Sequence, residues 1–186
     1  PSHDSPSAGY LIRKRVDPSA IPASSSGTYK KRQGVLYRLA EAYLSYAESL
    51  YEYSVAMGTY TDNETEILDY INRVRYRAGI PQYGKGADQI PVTEAQLRDL
   101  IRRERRVELN CEAGIRFDDL RRWKEAETAL NGKFYGMNAL AKSTERDEYY
   151  KRTLYQTRRF ISYWWPIPQD DIDKNTNLRQ LPGWWR

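Results

Sequence analysis

From Val35 to about Ala56 the apolar positions Leu36, Leu39, Ala40, Tyr43, Leu44, Ala47, Leu50 and Tyr51 recur at spacings of three and four. That is the period of an α-helix with one broad buried face, not the period of two that a half-buried strand requires. Gly58 predicts the end of this helix. A second is expected from about Asn63, with Asp62 as its cap, Ile67, Leu68, Ile71, Val74 and Ala78 as its stripe, and Gly79 and Pro81 as its stop. Thr93 followed by Gln96 has the form of a capping box and opens a third helix through Leu97, Leu100, Ile101, Val107 and Cys111. A fourth is expected from about Phe117 through Leu120 and Trp123 to Ala129. Successive helix pairs separated by about 30 residues have the geometry of tetratricopeptide-like (TPR-like) hairpins, although that repeat's consensus is absent. The predicted class is therefore all-α: TPR-like helical pairs with long irregular loops and an extended carboxy-terminal tail.

The rest of the chain has no such period. Residues 1–33 are rich in Pro, Ser, Gly and charge, and the chain opens PSHDSPSAGYLIRKR without an initiator Met. They read as an irregular connector from a missing amino-terminal part, with residues 34–186 forming a carboxy-terminal helical domain. Loops are expected over residues 131–163, where Phe134, Tyr135, Tyr149, Tyr150, Tyr155, Phe160 and Tyr163 stand among many charges. The closing YWWPIPQDDIDKNTNLRQLPGWWR has too many Pro, Asn and Gly residues for a long helix and predicts an extended tail with a helical turn near Gln169 to Asp173.

Much familiar chemistry lacks its residues. Cys111 is the single cysteine, so no internal disulfide, CxxC pair or multi-cysteine zinc site can form. The single histidine, His3, sits in the irregular amino-terminal segment, which leaves a Ser/His/Asp triad or a Cys/His pair without a well-positioned base, and an HExxH site would need two histidines. Neither GxxxxGK[ST] nor GxGxxG occurs, no cofactor is indicated, and no run approaches the ~18 apolar residues of a membrane span. The balance of 30 Lys plus Arg against 25 Asp plus Glu gives +5, but the signs alternate. Even the densest stretch, RRERR at Arg102 to Arg106, is followed by Glu108 and Glu112, which argues for an ion-paired helix and against a nucleic-acid partner.

Glu104, Glu108 and Glu112 fall four apart beside the apolar stripe of the third helix. A glycosidase could use two such carboxylates, Glu104 and Glu108, as acid and nucleophile. The stronger reading is a structural ion-pair set with Arg38, Arg75 and Arg77, because a guanidinium fork binds a carboxylate through two hydrogen bonds. The aromatic content, 13% with 16 tyrosines and five tryptophans against three phenylalanines, points to half-wet binding surfaces. Tyr149, Tyr150 and Tyr155 in the irregular segment are the ligand candidates. Trp123, Trp184 and Trp185 read as packing residues.

Three segments together resemble the carboxy-terminal pattern of the SusD/RagB family. They are YRLAEAYLSYAESL ending at Leu50 with INRVRYRAGI at Ile71 to Ile80, then ERRVEL at Glu104 to Leu109 with CEAGIRFDDLRRW at Cys111 to Trp123, and finally WPIPQDDIDKNTNLRQLPGW at Trp165 to Trp184. Ala113 between Glu112 and Gly114, and Leu181 where the family often has Asn, depart from the commonest form. The resemblance implies a surface-exposed outer-membrane lipoprotein, anchored through a lipid on the missing amino-terminal part. It would capture a glycan nutrient without catalysis and deliver it to a TonB-dependent, SusC-like transporter. Peptide capture of the RagB kind and a protein-interaction scaffold are the further alternatives. The matching motif positions are Arg38, Glu41, Asn72, Arg75, Glu104, Arg105, Glu108, Glu112, Arg116, Asp119 and Arg122, and the expectation is that they hold the helices together.

Overall fold

The computed structural model of the chain describes residues 8–14, 16–19, 27, 34–112, 114–142 and 144–184. The connector expected over residues 1–33 falls largely outside the described residues, as do His3 and Trp185. The chain divides into two compact units, Arg15–Arg116 and a second made of Pro1–Lys14 with Phe117–Arg186.

The first unit is built from α1 (Leu39–Met57), α2 (Tyr60–Arg77) and α3 (Glu94–Glu108). The first helix starts at Leu39, later than Val35, and Leu36 is 94% exposed rather than part of the stripe. Gly58 ends it with φ 68°, and the next amide, that of Thr59, bonds back to the Ser54 carbonyl at 2.8 Å. This αL closure wants glycine and turns the chain at once into α2. As a result α2 begins at Tyr60 with Thr59 at its cap position, three residues before the expected start, and Asp62 sits in its first turn instead of capping it. The capping box of α3 forms as the sequence predicts, the Thr93 amide donating to Gln96 Oε1 at 3.1 Å. That helix stops at Glu108, so Cys111 lies beyond it with φ 61° and is exposed, and Val107 is 67% exposed.

Ala47 and Tyr51 of α1, Tyr60, Ile67, Leu68 and Ile71 of α2, Leu97 and Ile101 of α3, and Tyr83 from the connection between α2 and α3 close on one core. Burying each large side chain is worth about 1.5–3 kcal/mol relative to leaving it in water. The antiparallel helix pair with a third helix packed on it is the TPR-like arrangement that the periodicity predicts.

The second unit is less helical. The expected fourth helix is two pieces, α4 (Ile115–Arg122) and α5 (Ala126–Ala129). Lys124 between them has φ 59°, and the Glu125 amide bonds back to the Leu120 carbonyl at 2.9 Å, an αL stop without a glycine. Residues 131–163 are not all loop. They hold an antiparallel hairpin of β1 (Gly132–Gly136) and β2 (Thr153–Arg158) around a short α6 (Arg146–Tyr149). The pairing slips between Phe134, opposite Gln156, and Tyr135, opposite Leu154, leaving Tyr155 as the extra residue of a bulge. Gly136 lets the Ala8 backbone approach: a Cβ there would lie 2.5 Å from the Ala8 carbonyl oxygen, which accepts from Met137 N–H at 3.0 Å. The tail is extended apart from α7 (Gln169–Lys174), and the Gln180 side-chain amide clamps it by exchanging two 2.9 Å hydrogen bonds with the Ile167 backbone.

Candidate functional site

Most of the residues singled out by the sequence fall into an ion-pair cluster of the helical unit and a set of aromatic residues in the hairpin unit. The first lies where the ends of α1, α2 and α3 meet. Arg38, the residue before α1, donates from Nε to both oxygens of Glu112 at 3.0 and 2.9 Å, from Nη1 to Glu108 Oε1, and from Nη2 to the Glu108 carbonyl at 2.6 Å. Glu112 and then Glu108 hold the Arg38 guanidinium above its ordinary pKa by favouring the charged form. Arg77, from the last turn of α2, donates to the same Glu108 oxygen.

Deeper, the buried Arg75 donates to Glu104 Oε1 and to the Pro81 carbonyl, while its guanidinium lies 3.9 Å from the Tyr83 ring centroid. Tyr83 Oη donates to the same Glu104 oxygen at 3.0 Å. Burial pushes the Tyr83 phenol up, and the Glu104 charge adds to it. Arg105 pairs with Glu48 of α1 at 3.5 Å and reaches Ser45 Oγ at 2.9 Å. Asn72 closes a two-way bond with the Tyr83 backbone, 2.8 Å each way. In the other unit the buried Asp119 accepts from Arg122 at 2.9 Å. Glu41 lies in the first turn of α1, and Arg116 is the second residue of α4. The geometry thus gathers Arg38, Arg75, Arg77, Glu104, Glu108 and Glu112, each carboxylate already serving as acceptor to an arginine.

A polar cleft of about 390 Å³ lies beside this cluster, between α2 and residues 82–89. Its polar groups largely satisfy one another: Lys85 pairs with Glu64 at 2.7 Å, and Gln89 accepts from the Gly86 amide at 2.9 Å.

The other candidates are aromatic residues of the hairpin unit. Tyr149 and Tyr150 meet edge to face, with centroids 5.4 Å apart. Tyr149 is tied down, its Oη donating to the Gly9 carbonyl at 2.7 Å, whereas Tyr150 is 59% exposed. Tyr155 stands in the bulge, 43% exposed. Sequence reasoning missed the arginines that lie over other rings of the hairpin. Arg152 lies 3.7 Å from the Tyr135 centroid and Arg158 lies 4.9 Å from that of Phe134. The readable signal was the KRTLYQTRRF run at Lys151 to Phe160, in which cations flank a short β-prone stretch. A further arginine, Arg121, lies 4.7 Å from the Trp165 ring and donates to the Ser162 and Tyr163 carbonyls. The neighbouring Trp164 and Trp165 remain about two-thirds exposed, at 63% and 64%. Trp123, just past α4, is half-buried with Arg122 over its ring at 4.8 Å, and Trp184 donates from Nε1 to the Trp164 carbonyl at 2.7 Å. Among the described residues no group of His, Cys, Asp and Glu is arranged to hold a metal ion, and no helix is long and apolar enough to cross a membrane.

Comparison with known proteins gives a consistent result. The model of the SusD family matches residues 1–184. No curated protein matches the chain. Among solved structures, the selenomethionine form of the protein BT4246 is 34% identical with a TM-score of 0.75, over 96% of this chain and 30% of its own. A SusD-like protein from Bacteroides fragilis is 28% identical with a TM-score of 0.60, over 80% of this chain and 25% of its own. A SusD-like carbohydrate-binding protein, also from Bacteroides fragilis, is 35% identical with a TM-score of 0.54, over 75% of this chain and 27% of its own. The chain spans less than a third of the length of these structures.

Proposed function

The chain belongs to the SusD family, and from that premise we propose that it takes part in capturing a glycan at the cell surface, without cleaving it, for delivery to a TonB-dependent outer-membrane transporter. The observation that carries this reading is its 35% identity to a SusD-like carbohydrate-binding protein. The aromatic surface of the hairpin unit supports it, because tyrosine presents an apolar face for a sugar's C–H surface and a polar edge for its hydroxyls. The ion-pair cluster supports a role without bond cleavage. A retaining glycosidase needs a carboxylate free to attack, and Glu104 and Glu108 are both engaged by arginines. In this reading the protein works at the outer membrane through a lipid anchor, with Arg38, Arg75, Glu104, Glu108 and Glu112 as structural residues.

The test is calorimetric titration of the full chain with a panel of plant, algal and host oligosaccharides, with product analysis of the same samples. Binding without new reducing ends is the expected outcome. Release of product would overturn the non-catalytic reading, and binding confined to peptides would replace glycan by peptide as the cargo.

A further inference from the structure

The helical unit commits its buried charges to the junction of α1, α2 and α3, yet the cleft between α2 and residues 82–89 keeps polar groups that the fold does not use. One wall is a single face of α2. Glu64, Leu68 and Asn72 form one row at intervals of four, and Thr65 and Asp69 form the row beside it. From Glu64 to Asn72 this wall runs about 12 Å at the rise of an α-helix, roughly the length of a disaccharide.

The other wall is the connection to α3, and hydrogen bonds fix it in place. The Ile90 amide donates to the Gln82 carbonyl at 2.8 Å, the Gly84 amide donates to the Ile90 carbonyl at 3.0 Å, and the Asn72 side chain holds the Tyr83 backbone against α2. Gly84 is buried with φ 154°, and a Cβ there would lie 2.1 Å from Gln89 Oε1. Glycine thus leaves the space into which Gln89 folds back to accept from the Gly86 amide. With both walls set in advance, a ligand orders little of the chain when it binds.

Part of the lining is satisfied internally. Lys85 pairs with Glu64, and Asp69 gives Oδ2 to Arg73 in hydrogen bonds of 2.9 and 2.7 Å. Asp69 Oδ1, the Thr65 hydroxyl, the Gln82 side-chain amide and the Gln89 amino group have no hydrogen-bond partner among the described residues. Polar groups that face open water need no ligand to explain them. Here Gln82 and Gln89 are half-buried, and two fixed walls bring the four groups to one concavity of about 390 Å³. That volume falls in the range of roughly 300–1,000 Å³ typical of small-molecule sites.

The lining also selects the class of ligand. Its cation, Lys85, is already held by Glu64, and Asp69 stands on the same wall, so an anionic ligand would meet carboxylates without a cation to spare. Its aromatic residue, Tyr83, is 4% exposed, with Arg75 over the ring and the phenol donating to Glu104, so stacking is not what the cleft offers. What it offers is a mixture of donors and acceptors: amides, a hydroxyl and a carboxylate oxygen. Neighbouring hydroxyls of a pyranose, each donor and acceptor at once, match that mixture, and Leu68 supplies apolar surface for the ring's C–H groups.

We propose that this cleft is a subsite for a neutral glycan, taking one or two pyranose units along α2, with Thr65 and Asp69 on one wall and Gln82 and Gln89 on the other holding their hydroxyls. This rests on the glycan-capture reading and narrows it to uncharged sugars bound in the helical unit.

The experiment titrates the full chain with cellobiose, maltose and mannobiose, with their tetrasaccharides and with digalacturonate, and follows the amide NMR resonances of residues 64–72 and 82–89 in the same samples. The expected result is binding of a neutral sugar that is insensitive to salt and shifts those resonances. In the Asp69→Ala, Gln82→Ala double variant binding weakens by about tenfold or more, because one hydrogen bond to a charged group and one to a neutral amide are lost. Thr65→Trp, at an exposed position of α2, fills the cleft and weakens binding without lowering the melting temperature. A preference among the three neutral sugars identifies the hexose and linkage and supports the proposal. Neutral binding that both variants leave intact, with resonance shifts confined to the hairpin unit, overturns the cleft subsite while leaving glycan capture standing. Tighter binding of digalacturonate than of every neutral sugar overturns it as well. Absence of binding to every glycan overturns both readings. If the double variant melts early, Thr65→Trp and the resonance map decide the matter without it.

Discussion

The helical unit and the hairpin unit use the same residue, arginine, in opposite ways. At the junction of α1, α2 and α3, Arg75 and Arg38 meet carboxylates delivered from another helix or its following loop, and the charges are neutralised where water is scarce. On the hairpin, Arg152 and Arg158 meet rings instead, in solvent, and no carboxylate among the described residues pairs with them. An arginine in the first setting is committed to holding helices together. In the second it is held in place and still has hydrogen bonds to give. The difference teaches that the functional candidate is not the cluster with the most ionisable groups but the one whose groups remain unsatisfied.

The largest effect that would break this contrast is expected at Glu104. Replacing Glu104 by Gln leaves Arg75 buried and charged, and the loss should be about 3 to 5 kcal/mol, read from urea denaturation. A loss below about 1 kcal/mol would mean that the inner cluster is no more structural than a surface pair. Ile71→Ala, in the adjoining core, should remove about 2 to 5 kcal/mol by opening a cavity. A matched pair of values would show that polar and apolar parts of this unit are equally committed to stability.

Much of the helical unit was legible because its signals are local. The period of three and four, Gly58, and Thr93 with Gln96 each act within a few residues. The arginine and glutamate partners were legible as residue types at suitable helix positions, although the register that pairs Arg38 with both Glu108 and Glu112 is a tertiary fact. The failures are equally physical. The stop at Lys124 has no glycine to announce it, and Thr59 displaced Asp62 because the αL turn at Gly58 left no room for a longer loop. The hairpin was missed because its strands are short and interrupted by a bulge, without a sustained alternation of apolar and polar residues. The sequence marks Tyr149, Tyr150 and Tyr155 only by ring chemistry and irregular surroundings, and the arginines over Tyr135 and Phe134 depend on cross-strand neighbours.

A smaller effect sharpens the helical side of the comparison. Burial pushes the Tyr60 phenol up to about 12 from an ordinary value of 10. The folded state therefore keeps its proton where the unfolded chain has lost it. The resulting stabilisation is fully present below pH 10 and is lost as pH rises through the interval up to about 12. The stability of the full chain should fall with pH across that interval, and Tyr60→Phe should flatten the fall. An unchanged slope would assign alkaline unfolding to other phenols, Tyr83 first.

The smallest stability change is expected at Tyr155, and there a small value is the informative one. Its side chain projects from a bulge in a strand exposed along its whole length. Tyr155→Ser should therefore shift stability by no more than about 0.5 kcal/mol, the range of a surface substitution away from any core or cap. If the ring contacts a sugar, the same variant should weaken glycan binding by about tenfold, since an aromatic contact is worth about 0.5–1.5 kcal/mol beyond the area it buries. Stability and binding then separate completely at this residue, whereas at Glu104 they cannot. A loss of several kcal/mol from Tyr155→Ser would show that the ring supports the fold, and the division between a unit committed to holding itself together and a surface left free to bind would fail at its most exposed point.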